Sequence, residues 1–299
     1  MPRPLLAALL LLGAAPAAAQ PLDPVPRVAV MSAYAPEWTL LAAALEGAEA
    51  HVVHGTRFLT GTLDGRDVVL FLSGISMVNA AMTTQMALDR FEVEAILFSG
   101  IAGGVDPALS IGDVVIAERW GQYLDVALAR QTADGFAMPP WMSSDFPALG
   151  MIHTRAVDVQ SARAPEPEQR FWFEADPDLL ALAREAAAGV ALEGCTAEGS
   201  CLTDPPGIEV GGNGVSGSAF VDNAEVRDWA FGSFDARVLD MESAAVAHVA
   251  YVNEVPFLAV RSLSDLAGGG EGENEIGTFL GLAAGNSATV VRAILAAMD

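Results

Sequence analysis

The chain has 299 residues and a formal net charge of -23. An acidic surface of that size repels nucleic acid and anionic lipid, so neither is an expected partner. All 15 basic residues are arginine, which excludes lysine Schiff bases, internal aldimines with pyridoxal phosphate and a P-loop lysine.

At the N-terminus Arg3 precedes a Leu/Ala run from Leu5 to Leu12, and Ala-Pro-Ala-Ala-Ala then ends at Gln20. This is the pattern of a secretory signal over residues 1–20, and the run is shorter than the ~20 residues that span a bilayer. Cleavage near Gln20 is expected. The mature chain, 21–299, is then periplasmic or secreted, without a membrane anchor, and long enough for one large α/β domain.

From there strand and helix alternate. Arg27 to Ser32 reads as a strand, and Pro36 opens a helix to Glu46 that Gly47 stops. Phe58 to Leu63 and Val68 to Leu72 read as strands joined by a tight turn at Asp64-Gly65. Met77 to Phe91 has helical spacing, while Glu94 to Ser99 and Asp113 to Ala117 read as buried strands. Asp178 to Ala188 is a predicted helix and Ile208 to Ser216 a predicted strand. The chain closes with a strand to Leu239, a helix from Glu242 to Val252, a strand from Phe257 to Leu263 and a helix from about Ile276 to Met298. Such alternation predicts a mixed, mostly parallel sheet flanked by helices.

The middle, about 118–206, breaks the pattern with Pro139-Pro140-Trp141-Met142, Pro165-Glu166-Pro167 and Pro205-Pro206. Long loops of this kind serve as lids, binding loops or interfaces. It also holds the two cysteines, Cys195 and Cys201, expected to bond in an exported chain for ~2 kcal/mol of stability. Neither cysteine has histidine at ligand spacing, and His51 and His54 lack a third ligand nearby, so no metal site is expected. Trp120, Trp141 and Trp172 are candidates for a pocket wall, a core or an interface.

Chemistry is expected where strands end, because ligands in open α/β sheets bind beyond the carboxyl ends. Glu37 follows the first strand, Ser99-Gly100-Ile101-Ala102-Gly103-Gly104 ends another, and Ser216-Gly217-Ser218-Ala219-Phe220-Val221 follows a third. Asp240-Met241-Glu242 and Arg261-Ser262-Leu263-Ser264-Asp265 end two more. Glu37 alone reads equally well as a helix cap.

In this order the segments resemble the purine nucleoside phosphorylase and nucleosidase superfamily, closest in pattern to the 5'-methylthioadenosine/S-adenosylhomocysteine nucleosidases. The resemblance spans nearly all of the mature chain apart from the middle. It implies a single-domain nucleoside phosphorylase-like α/β fold, a purine nucleoside as small-molecule partner, no cofactor, and a homodimer. It also implies roles: Asp265 gives a proton to N7 of the leaving purine, and Glu37 activates water. Glu242 holds the ribose hydroxyls, Met241 packs on the sugar, Phe220 stacks on the base, and the Val221 backbone faces the purine edge. Ile101, Ala102, Gly103 and Ile276 line the substrate site. Arg261, expected to be buried from the apolar pattern of its neighbours, is read separately as orienting a carboxylate.

The chemistry supports those assignments independently. Breaking an N-glycosidic bond builds positive charge on ribose and negative charge on the base, which an acid at the base and carboxylates at the sugar stabilise. Phosphorylases place an arginine in the first strand-to-helix loop, whereas Ser32 to Pro36 has none, so water is the expected nucleophile and phosphorolysis the lesser alternative. Ile101 stands where nucleosidases usually carry Ser or Thr, and Tyr34 replaces a smaller residue beside the sugar. Ile101 keeps a second reading open, a non-catalytic nucleoside-binding, uptake or storage protein of the same fold.

Overall fold

The computed structural model of the protein describes residues 21–270 and 272–298; the expected signal segment lies outside them. Its main sheet has twelve strands: β1 Asp23–Ser32, β2 Glu46–Val53, β3 Thr56–Leu63, β4 Arg66–Leu72, β5 Phe91–Gly104, β6 Val114–Ile116, β7 Arg119–Gln122, β8 Trp172–Glu174, β9 Ile208–Val210, β10 Asn213–Ser216, β11 Ala236–Asp240 and β12 Phe257–Asp265. The helices are α1 Ala35–Ala44, α2 Met77–Arg90, α3 Pro177–Ala187, α4 Ala224–Phe234, α5 Ser243–Asn253 and α6 Ile276–Ala297.

The main path runs β8-β7-β10-β11-β5-β1-β4-β3-β2, with β12 on β5, β6 on β12, and β9 on β6. The centre is parallel: β1 pairs with β4 and β5, and β12 with β5. Their central stretches are apolar because both faces are covered there. Val28, Val30, Leu70, Leu97, Leu258 and Val260 face α1, α3 and α6. Ala29, Met31, Phe71, Ile96 and Phe98 face α2 and α5. The expected hairpin is present, with Asp64 at φ 51° and Gly65 at φ 86°, both left-handed as a two-residue turn between antiparallel strands requires.

Three sequence readings are corrected. Ile208 to Ser216 is two strands, because Gly211 and Gly212 take φ of 127° and 75° and turn the chain from β6 to a place between β7 and β11. A Cβ at Gly212 would meet Arg237 Nε at 2.6 Å. Helix α1 stops at Ala44 rather than Glu46, and Gly47 lies inside β2, a strand the polar and alanine-rich segment had not disclosed. Helix α4 was also unforeseen, although Asn223 caps it by accepting from Val226 N–H.

The middle region joins the body through β7, β8 and α3. Between β7 and β8 it forms three small antiparallel pairs, residues 126–128 with 152–154, 130–132 with 135–137, and 157–159 with 168–170. Trp120 is fully buried in the core, whereas Trp141 is 80% exposed. Cys195 and Cys201 are bonded to each other. Helix α6 is long and apolar enough to cross a membrane by length and composition, but 56% of its most apolar window is buried inside the protein. It packs on β5 and β12 as a core helix.

Candidate active site

One cavity of about 430 Å³ opens where β1, β4, β5, β10, β11 and β12 end. It brings together nearly every residue singled out from the sequence: Glu37, Ile101, Ala102, Gly103, Phe220, Val221, Met241, Glu242, Asp265 and Ile276 all line it. Arg261 lies behind the wall. No residue of 118–206 contributes to the lining, so the enlarged middle region is not a lid over this cavity in the structure.

Glu37 sits in the first turn of α1, where it caps the helix and also lines the cavity. Its Oε2 accepts from the N–H groups of Ala33 and Tyr34 at 3.0 and 2.9 Å, capping the helix, while Oε1 accepts from Ile101 N–H at 3.1 Å. The group is 2% exposed. Burial raises its pKa, an effect that Arg261 and the three N–H donors oppose. Ile101 gives Glu37 a main-chain donor, which does not depend on its side chain.

Asp240 ends β11 as a buried anchor. Oδ1 accepts from Ser216 Oγ and from the N–H groups of Glu242 and Ser243, and Oδ2 accepts from Ser243 Oγ and Arg261 Nε. Arg261 is wholly buried, with Cζ 4.0 Å from the centre of the Phe98 ring. Its Nη1 has no hydrogen-bond partner among the described residues and fills the place of a side chain at Gly100, where a Cβ would stand 1.6 Å away.

A single guanidinium therefore serves three acids: Asp240 at 2.8 Å, Glu242 at 3.8 Å, and Glu37 through its field. One cation cannot hold three buried carboxylates fully ionised. Glu242 shows the result, since burial and Asp240 push it up to about 7 against the pull of Arg261 and Ser76 N–H. That N–H donates to Glu242 Oε1 at 2.7 Å.

Asp265 ends β12. Oδ1 accepts from Ala267 N–H at 2.8 Å and Asn274 Nδ2 at 3.4 Å, and Oδ2 from Ser264 Oγ at 2.9 Å. Burial raises its pKa, and these donors counter the rise. Phe220 stands at the rim, 57% exposed, while Val221 is buried.

Sequence reasoning assigned no role to Ser76, Ser216, Ser243 or Asn274. A Gly74-Ile75-Ser76 turn before α2 was the available signal for the first, and serines at a strand end and a helix start for the next two. His51, by contrast, is engaged with Thr60 Oγ1 at 3.1 Å and the edge of Phe91. His248 stacks on Phe173 and contacts Gln122.

Residues 27–296 match the model of the phosphorylase superfamily, in agreement with the resemblance carried by the sequence segments. Among curated relatives, the 5'-methylthioadenosine/S-adenosylhomocysteine nucleosidase of Geobacillus kaustophilus is 33% identical over 91% of this chain and 97% of its own. Solved structures of nucleosidases of the same name from Neisseria meningitidis, with methylthio-immucillin-A, and Colwellia psychrerythraea, with adenine, are 29% and 28% identical. They superpose with TM-scores of 0.67 and 0.69 over 91% of this chain, covering 99% and 95% of theirs. The chain belongs to the phosphorylase superfamily and, within it, to the family of these nucleosidases. It is an N-glycosidic hydrolase, and the reading as a binding or storage protein falls with that membership.

Proposed function

We propose that this enzyme hydrolyses 5'-methylthioadenosine, S-adenosylhomocysteine or a closely related purine nucleoside. The observation that carries the reading is the meeting of Glu37, Glu242 and Asp265, from three separate strand ends, on one cavity with no arginine among its lining residues. Asp265 is the acid for N7, in keeping with a burial that favours its protonated form. Glu242 grips the ribose hydroxyls and gains most as the ribose becomes cationic. Glu37, held by three main-chain donors, takes the proton of the attacking water. Phe220 stacks on the base, Met241 packs on the sugar, Val221 meets the purine edge through its backbone, and Ile276 closes the cavity from α6.

Water is the nucleophile because the cation nearest the cavity, Arg261, is already committed to Asp240 and Ser243, whereas phosphate needs a free arginine fork or several cations. The mature chain is exported, a reading supported by residues 1–20 and by the Cys195–Cys201 bond. It is a homodimer, supported by the exposed apolar side chains of Val78 and Met82 on α2, with Ile75 just before it at the cavity.

Incubation with 5'-methylthioadenosine, adenosine and inosine, with and without phosphate, tests the activity. Free 5-methylthioribose and adenine at a rate independent of phosphate are expected. Ribose 1-phosphate derivatives, or a rate that needs phosphate, would overturn hydrolysis.

A further inference from the structure

The loop that follows Asp265 is bolted to the segment that carries Phe220 and Val221. Asn223 N–H donates to Ala267 O at 3.0 Å. Gly268, at φ 87°, packs so closely that a Cβ would lie 2.3 Å from Asn223 N, so no other residue fits there. Asn274 completes the joint. Its Oδ1 accepts from Ile276 N–H at 3.0 Å and so caps α6, while Nδ2 donates to Asp222 Oδ1 at 3.1 Å and to Asp265 Oδ1 at 3.4 Å.

The two oxygens of Asp265 are thus unequal. Oδ1 receives Ala267 N–H and Asn274 Nδ2, both pure donors, and suits a carbonyl oxygen. Oδ2 meets only Ser264 Oγ, which accepts as readily as it donates. We propose that Asn274 is the positioning residue of the general acid: it holds Asp265 with its transferable proton on Oδ2, facing the cavity, and stabilises the carboxylate left when that proton goes to the purine. The inference rests on the reading of Asp265 as proton donor.

An amide donor strengthens as its acceptor gains charge, so the Asn274 bond is worth more after proton transfer than before it. That makes its effect fall on kcat. The charged groups around Asp265 are few. Asp222 faces it from the segment before α4 and favours the protonated form, and Asn274 lies between the two carboxylates. Arg227 reaches the same loop from α4, beside Gly269, but donates to Gly104 O. Losing the Asn274 donor therefore raises the pKa of Asp265, and the fall of activity at high pH moves to higher pH.

The test uses Asn274→Ala and Asn274→Asp in the mature chain, with 5'-methylthioadenosine and with 4-nitrophenyl riboside, whose leaving group departs without a proton. Asn274→Asp keeps an acceptor for the α6 cap and loses the donor, which separates folding from catalysis. Both variants are expected to lose about tenfold or more in kcat on the nucleoside, with KM within about twofold and the high-pH limb displaced upward. Turnover of the nitrophenyl substrate should stay near wild type. An unmoved limb, or equal losses on both substrates, overturns the inference. Asp265→Asn is run beside them: if it keeps purine turnover, the general-acid reading itself fails, whereas loss there with normal Asn274 variants sinks only the role of Asn274.

Discussion

Near neutral pH Glu242 stands at the midpoint of its titration, which links activity and stability through one carboxyl group. In its proposed role as an ionised partner for a cationic ribose it would act above about 7, so kcat/KM is expected to fall as pH drops through that value. Stability runs the other way. A carboxyl raised from 4.5 to about 7 by folding binds protons better in the native state, so its favourable contribution is complete below about 4.5 and lost as pH rises through 7. The loss amounts to roughly 3 kcal/mol. Glu242→Gln keeps an acceptor for Ser76 N–H and removes the ionisation, so the variant should melt above wild type at pH 8 and match it near pH 4. A gap that does not close at low pH would show that the charge is not the cause. The three candidate acids were legible in the sequence because each follows or ends an apolar strand, although Glu37 reads equally well there as a helix cap. Asn274 and Ser76 were not, since they act through distances that only the folded loops create.

Among the connecting elements, the turn into α2 holds Ser76 at φ 84°, ψ 159°, a region that only glycine occupies without strain. The strained turn aims Ser76 N–H at Glu242, and its main-chain donor needs no hydroxyl. Ser76→Gly should therefore raise stability by ~1 kcal/mol, strain relief exceeding the added chain entropy, with kcat unchanged. Equal or lower stability in a melting experiment would assign the side chain a role of its own. The same kind of backbone detail limited the reading of elements. Buried strands β1, β4, β5 and β12 declare themselves by continuous apolar residues. Strand β2, largely exposed at the sheet edge, has no such run. The break between β9 and β10 depends on two glycines that a pattern of apolar residues passes over.

Across the whole molecule, the short Cys195–Cys201 bridge closes a loop beside α6, where Asn286 holds Glu193 through both its N–H and C=O. Cys195→Ser with Cys201→Ser should cost about 2 kcal/mol and leave the nucleosidase activity intact, because neither residue lines the cavity. Denaturant melts of the two forms measure it; no change would mean the loop is held by Asn286 alone. Fractionation of the producing cell should place the chain outside the cytoplasm, starting near Gln20. Architecture was readable because alternation of strand and helix is a long-range pattern. The middle region's three small antiparallel pairs were not, since their strands are three residues long and carry few buried residues.

The fit of Arg261 against Gly100 also governs the order in which a lineage could change this site. A methyl group at position 100 collides with the guanidinium while the arginine is there, so any larger residue must wait for position 261 to shrink. Shrinking it first strands Asp240, Glu242 and Glu37 without their shared cation. Each first step is harmful and even the pair leaves the three acids without their cation, which makes these two positions a historical lock on the chemistry of the pocket.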